Sequence, residues 1–262
     1  MTEWNAQEYA RISGLQKVMA AEALSLLTLA GNERILDVGC GEGAITSAIA
    51  ARVPQGSVVG IDPSREMVRF ARAHFSSAAQ ANLRFDIADA RTLPFANEFD
   101  LVVSFNALHW IPEQDATLRS IRGTMKPGAR AIFRLVPAGE RKSLEMVVED
   151  TRQSPRWRDN FVGFEDPYLR LTPEDYRQTA ERERLHVVAI RTALKEWDFG
   201  TRDAFGAFCR VGLVAWTSRL PEHDRDPFVE DVLDRYAALS PGGVSAPHTF
   251  FFYQMDVDLC AS

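Results

Sequence analysis

The sequence predicts an α/β protein: a doubly wound sheet of seven strands, mostly parallel, with helices on both faces. Three observations carry this. Five short apolar runs recur between residues 34 and 136, stretches with helical spacing separate them, and a run with period-two alternation lies near the end of the chain. Strands joined through helices are crossover-connected and therefore parallel. The final alternating run, with one polar face, predicts an antiparallel strand near the sheet edge.

The elements follow in order. Residues 1–30 read as helical, with Leu15, Val18, Met19, Leu26 and Leu27 at helical spacing, no interrupting proline, and Gly31-Asn32 as the stop. The five strands are Arg34–Val38, Ser57–Ile61, Asn82–Asp86, Phe99–Phe105 and Ala129–Val136, each too short and too continuously apolar for a helix. Helices fill 43–52, 64–75 and 113–125; Pro63-Ser64 fits a capped start, and Lys126-Pro127-Gly128 a stop. Past residue 136 the alternation lapses. Helices at 142–152 and 173–184 flank a stretch carrying Trp157, Phe161, Phe164 and Tyr168, suited to covering a pocket. A strand at 186–197, helices at 201–216 and 224–239, and a strand at 249–259 close the chain; in the last, Phe251, Tyr253, Met255, Val257 and Leu259 alternate with Phe252, Gln254, Asp256 and Asp258.

Composition narrows the partners. The 262 residues carry 30 Lys+Arg against 36 Asp+Glu, a net charge of −6, so the basic excess that nucleic acid or an anionic membrane demands is missing. Cys40, Cys209 and Cys260 are widely spaced and form no C-x-x-C pair, which argues against a disulfide framework or a zinc site and for a reducing compartment. Met1-Thr2-Glu3-Trp4-Asn5 does not open a secretory signal, and no window approaches the ~18 apolar residues of a membrane span. A soluble, cytoplasmic protein, monomer or homodimer, is expected.

The strongest local signal is Ile35-Leu36-Asp37-Val38-Gly39-Cys40-Gly41-Glu42-Gly43, a buried strand running into a glycine turn and then a helix. The glycines permit a tight turn and a close ligand approach. On its own the pattern is ambiguous. Gly39, Gly41 and Ala44 also satisfy a dinucleotide fingerprint, with Asp62 at the distance of its ribose-binding acid, so an NAD-dependent oxidoreductase stays open. Asp37 separates the readings, because a carboxylate inside an apolar strand is costly unless it faces a polar ligand at the strand's end.

This stretch resembles motif I of the class I S-adenosylmethionine-dependent methyltransferases. Val59-Gly-Ile-Asp62-Pro-Ser, Asp86-Ile-Ala-Asp89-Ala90, Phe99-Asp-Leu-Val-Val-Ser and Met125-Lys-Pro-Gly128 resemble that family's later motifs in the right order. The resemblance implies a Rossmann-like fold and S-adenosylmethionine as cofactor. It implies that Asp37 holds the ammonium end, that the turn at Gly39, Cys40 and Gly41 receives the carboxylate, and that Asp62 with Pro63 takes the ribose hydroxyls. Asp89 and Ala90 would take the adenine, and Phe105 and Asn106 would complete the cofactor contacts. The chain then reads as one methyltransferase domain, with a helical cap at 1–30, a cofactor core at 31–136, a helical lid for the acceptor at 137–184, and closing strands and helices at 185–262.

Ser104-Phe-Asn-Ala-Leu-His-Trp110, with Trp4-Asn5 and Tyr9, is similar to trans-aconitate and juvenile hormone acid methyltransferases, which esterify small carboxylates. The resemblance implies a small-molecule acceptor, most simply a carboxylic acid attacked in line at the methyl carbon. An ionised carboxylate needs positioning and desolvation rather than a base. A hydroxyl, nitrogen or carbon acceptor is the alternative; a hydroxyl or carbon would need a base, and His109 is the candidate catalytic group. Trp4, Tyr9, Gln16, His109 and Trp110 are the candidate acceptor-binding residues. Arg130, Arg134, Arg152, Arg156 and Arg158 could pair with a substrate carboxylate or simply balance surface acids. A base-modifying enzyme is disfavoured, since Ser-Phe-Asn-Ala replaces the Asn/Asp-Pro-Pro-aromatic turn after strand four. No metal-ligand spacing is present.

Overall fold

The computed structural model describes residues 14–75, 80–239 and 248–261. Trp4 and Tyr9 lie outside the described residues, as does the side chain of Gln16.

Seven strands form one sheet in the order β3-β2-β1-β4-β5-β7-β6. Strands β1 (Arg34–Val38), β2 (Ser57–Asp62), β3 (Leu83–Ile87), β4 (Phe99–Phe105) and β5 (Met125–Leu135) are mutually parallel. Strand β7 (Thr249–Ala261) runs antiparallel between β5 and β6 (Leu185–Asp198). The last strand is antiparallel and near the edge, as its alternation predicts, lying one position in from it. Ion pairs join it to β5: Asp256 and Asp258 of β7 stand opposite Arg134 and Ile132, and the two acids pair with Arg134 and Arg130. The edge falls to β6, whose second half is largely exposed and carries Arg191, Lys195 and Glu196, charges that discourage further strand pairing.

Neighbouring residues of each strand feed opposite cores. Ile35, Val58, Leu101 and Ile132 pack with helices α1 (Gly14–Ser25), α2 (Ala44–Arg52) and α3 (Arg65–His74). Leu36, Val59, Val102 and Phe133 pack on the other face with α4 (Gln114–Thr124) and α6 (Pro173–Arg182). A third apolar cluster unites α5 (Leu144–Arg152), α7 (Arg202–Gly212), α8 (Val214–Thr217) and α9 (Glu222–Ala238) around Trp157, Trp216 and Phe228. The helix expected over 201–216 is thus broken after Gly212, and α7 to α9 share their core with α5. This helical layer stands over the carboxyl ends of β1 and β4, where the strand order reverses and where sheets of this kind bind ligands.

Candidate active site

Two adjoining cavities of about 520 and 560 Å³ open at that switch point and share Gly39, Gly41, Phe105, Asn106 and Trp110. The turn after β1 is the floor of both. Gly39, Gly41 and Gly43 all have positive φ (76°, 54° and 90°), and the Gly39 and Cys40 amides donate to the Ile61 carbonyl at 2.8 and 2.9 Å. A Cβ on Gly39 would come within 2.2 Å of the Ala107 Cβ, whereas one on Gly41 would meet open space. The backbone thus lies bare toward the cavities.

Asp37, the last residue but one of β1, lies buried beneath this turn and lines the first cavity. Its Oδ2 accepts the Thr46 hydroxyl at 2.7 Å. Burial pushes its carboxyl up to about 7 against that hydrogen bond, and the charges of Asp62 and Glu42 add to the rise. Cys40 lines the same cavity, its thiol held well above the usual range by burial. Asp62, Pro63, Asp89 and Ala90 line the second cavity. Asp62 accepts the Gly41 amide through Oδ2 at 3.1 Å and the Ser64 amide through Oδ1 at 2.9 Å, tying the β1 and β2 turns together. Asp89 caps the turn at Ala90–Thr92 and takes the Arg91 guanidinium on both oxygens; that hydrogen bonding holds it below the usual carboxylate range. Asn106, at φ 58°, leaves its side-chain oxygen buried and without a partner.

Chemistry changes along the first cavity. Past Asp37 and Glu42 its walls become apolar, from Val136, Leu144, Tyr168, Phe208, Val211, Leu213, Phe250 and Phe252. His109, in the short turn after β4, lines it and is buried. Its Nδ1 accepts the Val136 amide at 3.3 Å, which fixes the proton on Nε2, and burial lowers its pKa to about 3. The Tyr168 ring lies 4.8 Å from the imidazole and 4.9 Å from Trp110, which itself meets Trp216 at 6.1 Å. Among the described lysines and arginines only Lys17, exposed, reaches this cavity.

The arginines considered for substrate binding are engaged elsewhere. Arg134 is buried between Asp256 and Glu22, and Arg130 pairs with Asp258. Arg152 pairs with Glu149, Arg158 with Asp159, and Arg156 covers the Trp157 ring. None of the five lines either cavity. Sequence reasoning missed Thr46, Glu145, Phe208, Phe250 and Phe252. Of the aromatic stretch expected over the pocket, Tyr168 reaches the first cavity, while Trp157 and Phe161 are buried in the helical layer.

A family model described as a methyltransferase domain matches residues 35–128. A trans-aconitate 2-methyltransferase of Variovorax paradoxus is 32% identical over 232 residues, 84% of either chain. The chain belongs to the class I S-adenosylmethionine-dependent methyltransferases. A trans-aconitate 2-methyltransferase of Deinococcus radiodurans is 25% identical across 91% of this methyltransferase and 92% of that one. Two solved structures share the fold. One is a phosphoethanolamine N-methyltransferase of Haemonchus contortus with S-adenosylhomocysteine (TM-score 0.64, 15% identity, 98% of this chain and 57% of that). The other is a geranyl diphosphate C-methyltransferase of Streptomyces coelicolor (TM-score 0.59, 13% identity, 95% and 77%).

The residues present fit the family's cofactor. A bare glycine turn, a buried carboxylate beneath it and the unpartnered Asn106 oxygen suit a zwitterionic nucleoside ligand. Among the described residues no helix is long and apolar enough to cross a membrane, and no cluster of His, Cys, Asp and Glu is arranged to hold a metal ion.

Proposed function

We propose that this methyltransferase esterifies a small carboxylic acid with an apolar body. The observation that carries the reading is His109: a neutral imidazole with its proton on Nε2, in an apolar cavity that continues into the cofactor turn. A group with a pKa near 3 is a poor base at neutral pH but a good fixed donor. A carboxylate has no proton to remove and needs a donor to orient it; a hydroxyl would need a base that His109 does not supply.

In this reading Asp37 takes the ammonium, the Gly39 to Gly41 backbone the carboxylate, and Asp62 the ribose hydroxyls. Asp89 and Ala90 border the adenine, and Asn106 accepts a donor through its side-chain oxygen. The bound cofactor supplies an electrophilic methyl group on a sulfonium. His109 Nε2–H then orients the attacking carboxylate oxygen, while Trp110 and Tyr168 exclude water and leave that oxygen poorly solvated. The relatives named for trans-aconitate support a carboxylate acceptor. The walls favour an apolar body over a tricarboxylate, since no arginine among the described residues lines the first cavity. Turnover of a panel of carboxylic acids with labelled S-adenosylmethionine tests this. Methyl esters from apolar monoacids are expected; exclusive labelling of hydroxyl or amine compounds would overturn it.

A further inference from the structure

Beyond Asp37 and Glu42, the apolar part of the first cavity contains one described acid that the proposed chemistry does not use. Glu145, in the first turn of α5, lines it beside Leu144 and Tyr168. Its carboxyl is held by its own backbone N–H and the Ser143 hydroxyl, so the anion seat at this helix start is already filled from within the chain. Among the described residues no cation pairs with it. Arg170, whose charge reaches it, bonds Asp166 at 2.6 Å and the Tyr168 carbonyl at 2.9 Å through Nη1 and covers the Tyr168 ring; its Nε and Nη2 are buried without a partner, but it does not line the cavity. Arg152 is spent on Glu149. Desolvation raises its pKa, although the residue stays partly exposed to the cavity, whose walls include Phe208, Leu213, Phe250 and Phe252.

A carboxyl so placed has acceptor capacity left, and no cavity-lining group among the described residues is bonded to it by a salt bridge. We propose that Glu145 selects among acids: it favours an acceptor carrying a hydrogen-bond donor, hydroxyl or ammonium, away from the methylated carboxylate, and rejects one carrying a second carboxylate. This rests on the carboxylate reading above. A donor on the acceptor body completes the Glu145 hydrogen bonds; a second carboxylate puts two like charges in an apolar cavity that no arginine among the described residues lines. Lys17, the one lysine at this cavity, is exposed, so water screens its charge.

The test is a matched series of straight-chain acids of equal length, ending in methyl, hydroxyl, amine or a second carboxylate. Esterification by the wild-type enzyme and by Glu145→Gln is measured, together with binding of each acid to the S-adenosylhomocysteine complex by calorimetry. Hydrogen bonds to charged groups imply roughly 10–100-fold preference for the hydroxyl- or amine-ended acid over the diacid in kcat/KM and in affinity. Glu145→Gln should reduce that preference to a few-fold, chiefly by admitting the diacid. Equal preferences in the two proteins, or a parallel fall on every acid, would overturn the assignment; the parallel fall would mark Glu145 as a base. The wild-type ratio is informative even if the variant folds poorly. If S-adenosylhomocysteine binds but no acid is esterified, the carboxylate reading fails and this one falls with it. Acids esterified without discrimination remove only the role of Glu145.

Discussion

The hydroxyl of Thr46 donates to Asp37 Oδ2 at 2.7 Å, and this is the hydrogen bond that steadies a carboxylate buried beneath the glycine turn. Despite it, burial raises the Asp37 carboxyl from 3.8 to about 7. A group protonated more readily in the fold than in the unfolded chain lowers stability as pH rises from the unfolded value through the folded one. Asp37 alone therefore makes the free protein less stable at pH 8 than at pH 5, and an arriving ammonium reverses this. S-adenosylhomocysteine should bind about 10-fold more tightly at pH 8 than at pH 6, with proton release on binding at pH 6. Asp37→Asn should flatten the dependence and weaken binding at pH 8 by about 10–100-fold. Calorimetry in buffers of different ionisation enthalpy measures both, and a pH-independent affinity in the wild type would remove Asp37 from the ammonium site.

Gly39 and Gly41 separate folding from binding. Both have positive φ, but an alanine Cβ at 39 collides with Ala107, while at 41 it projects into open space. Gly39→Ala should lose about 2–5 kcal/mol, adding overpacking to left-handed strain. Gly41→Ala should lose about 1–2 kcal/mol of stability, from strain alone, yet bind S-adenosylhomocysteine much more weakly because the methyl group occupies ligand space. Urea unfolding with parallel calorimetry distinguishes them; equal stability losses would contradict the geometry.

The legible half of this site is the half built from contiguous chain. Asp37 stands out because a buried acid in an apolar strand breaks a local rule, and Gly39 and Gly41 because only glycine takes those turns at little strain. Asp62 and Asp89 follow from their places at strand ends. The acceptor half draws on α5, the segment before α6, α7 and β7, which the fold gathers from more than a hundred residues of sequence. Glu145 sits in the first turn of a helix, where acids are commonplace, and only packing makes it a cavity wall. Arg134 has the same lesson: an arginine alternating along a strand reads as solvated, but the β5–β7 register puts it opposite Asp256 in the interior.

That buried arginine holds the first helix. Arg134 takes Asp256 on two nitrogens at 2.7 and 3.0 Å, reaches Glu22 and the Met19 carbonyl at 3.4 Å, and Lys195 joins Glu22 at 3.0 Å. Arg134→Met leaves Asp256 without its cation, while Glu22 keeps Lys195, and should destabilise the protein by about 3–5 kcal/mol. Adding Asp256→Leu should recover part of that loss, since the stranded charge is then gone. Urea midpoints of the two variants test this, and a double variant no more stable than the single one would count against the stranded charge as the cause.

His109 offers the sharpest division between a positioning donor and a base. With Nδ1 accepting the Val136 amide and the pKa near 3, the ring stays neutral across the physiological range. The kcat/KM profile on a carboxylic acid should therefore show no histidine inflection between pH 6 and 9. His109→Ala should lower kcat/KM by about 10–100-fold, the worth of a hydrogen bond to a charged oxygen, while S-adenosylhomocysteine affinity stays near that of the wild type. His109→Gln, which can present an amide N–H from a similar position, should recover part of the loss. A base would behave otherwise: glutamine could not replace it, the loss would fall in kcat, and an inflection would vanish with the ring. That pattern would return His109 to acid–base chemistry and the acceptor to a hydroxyl.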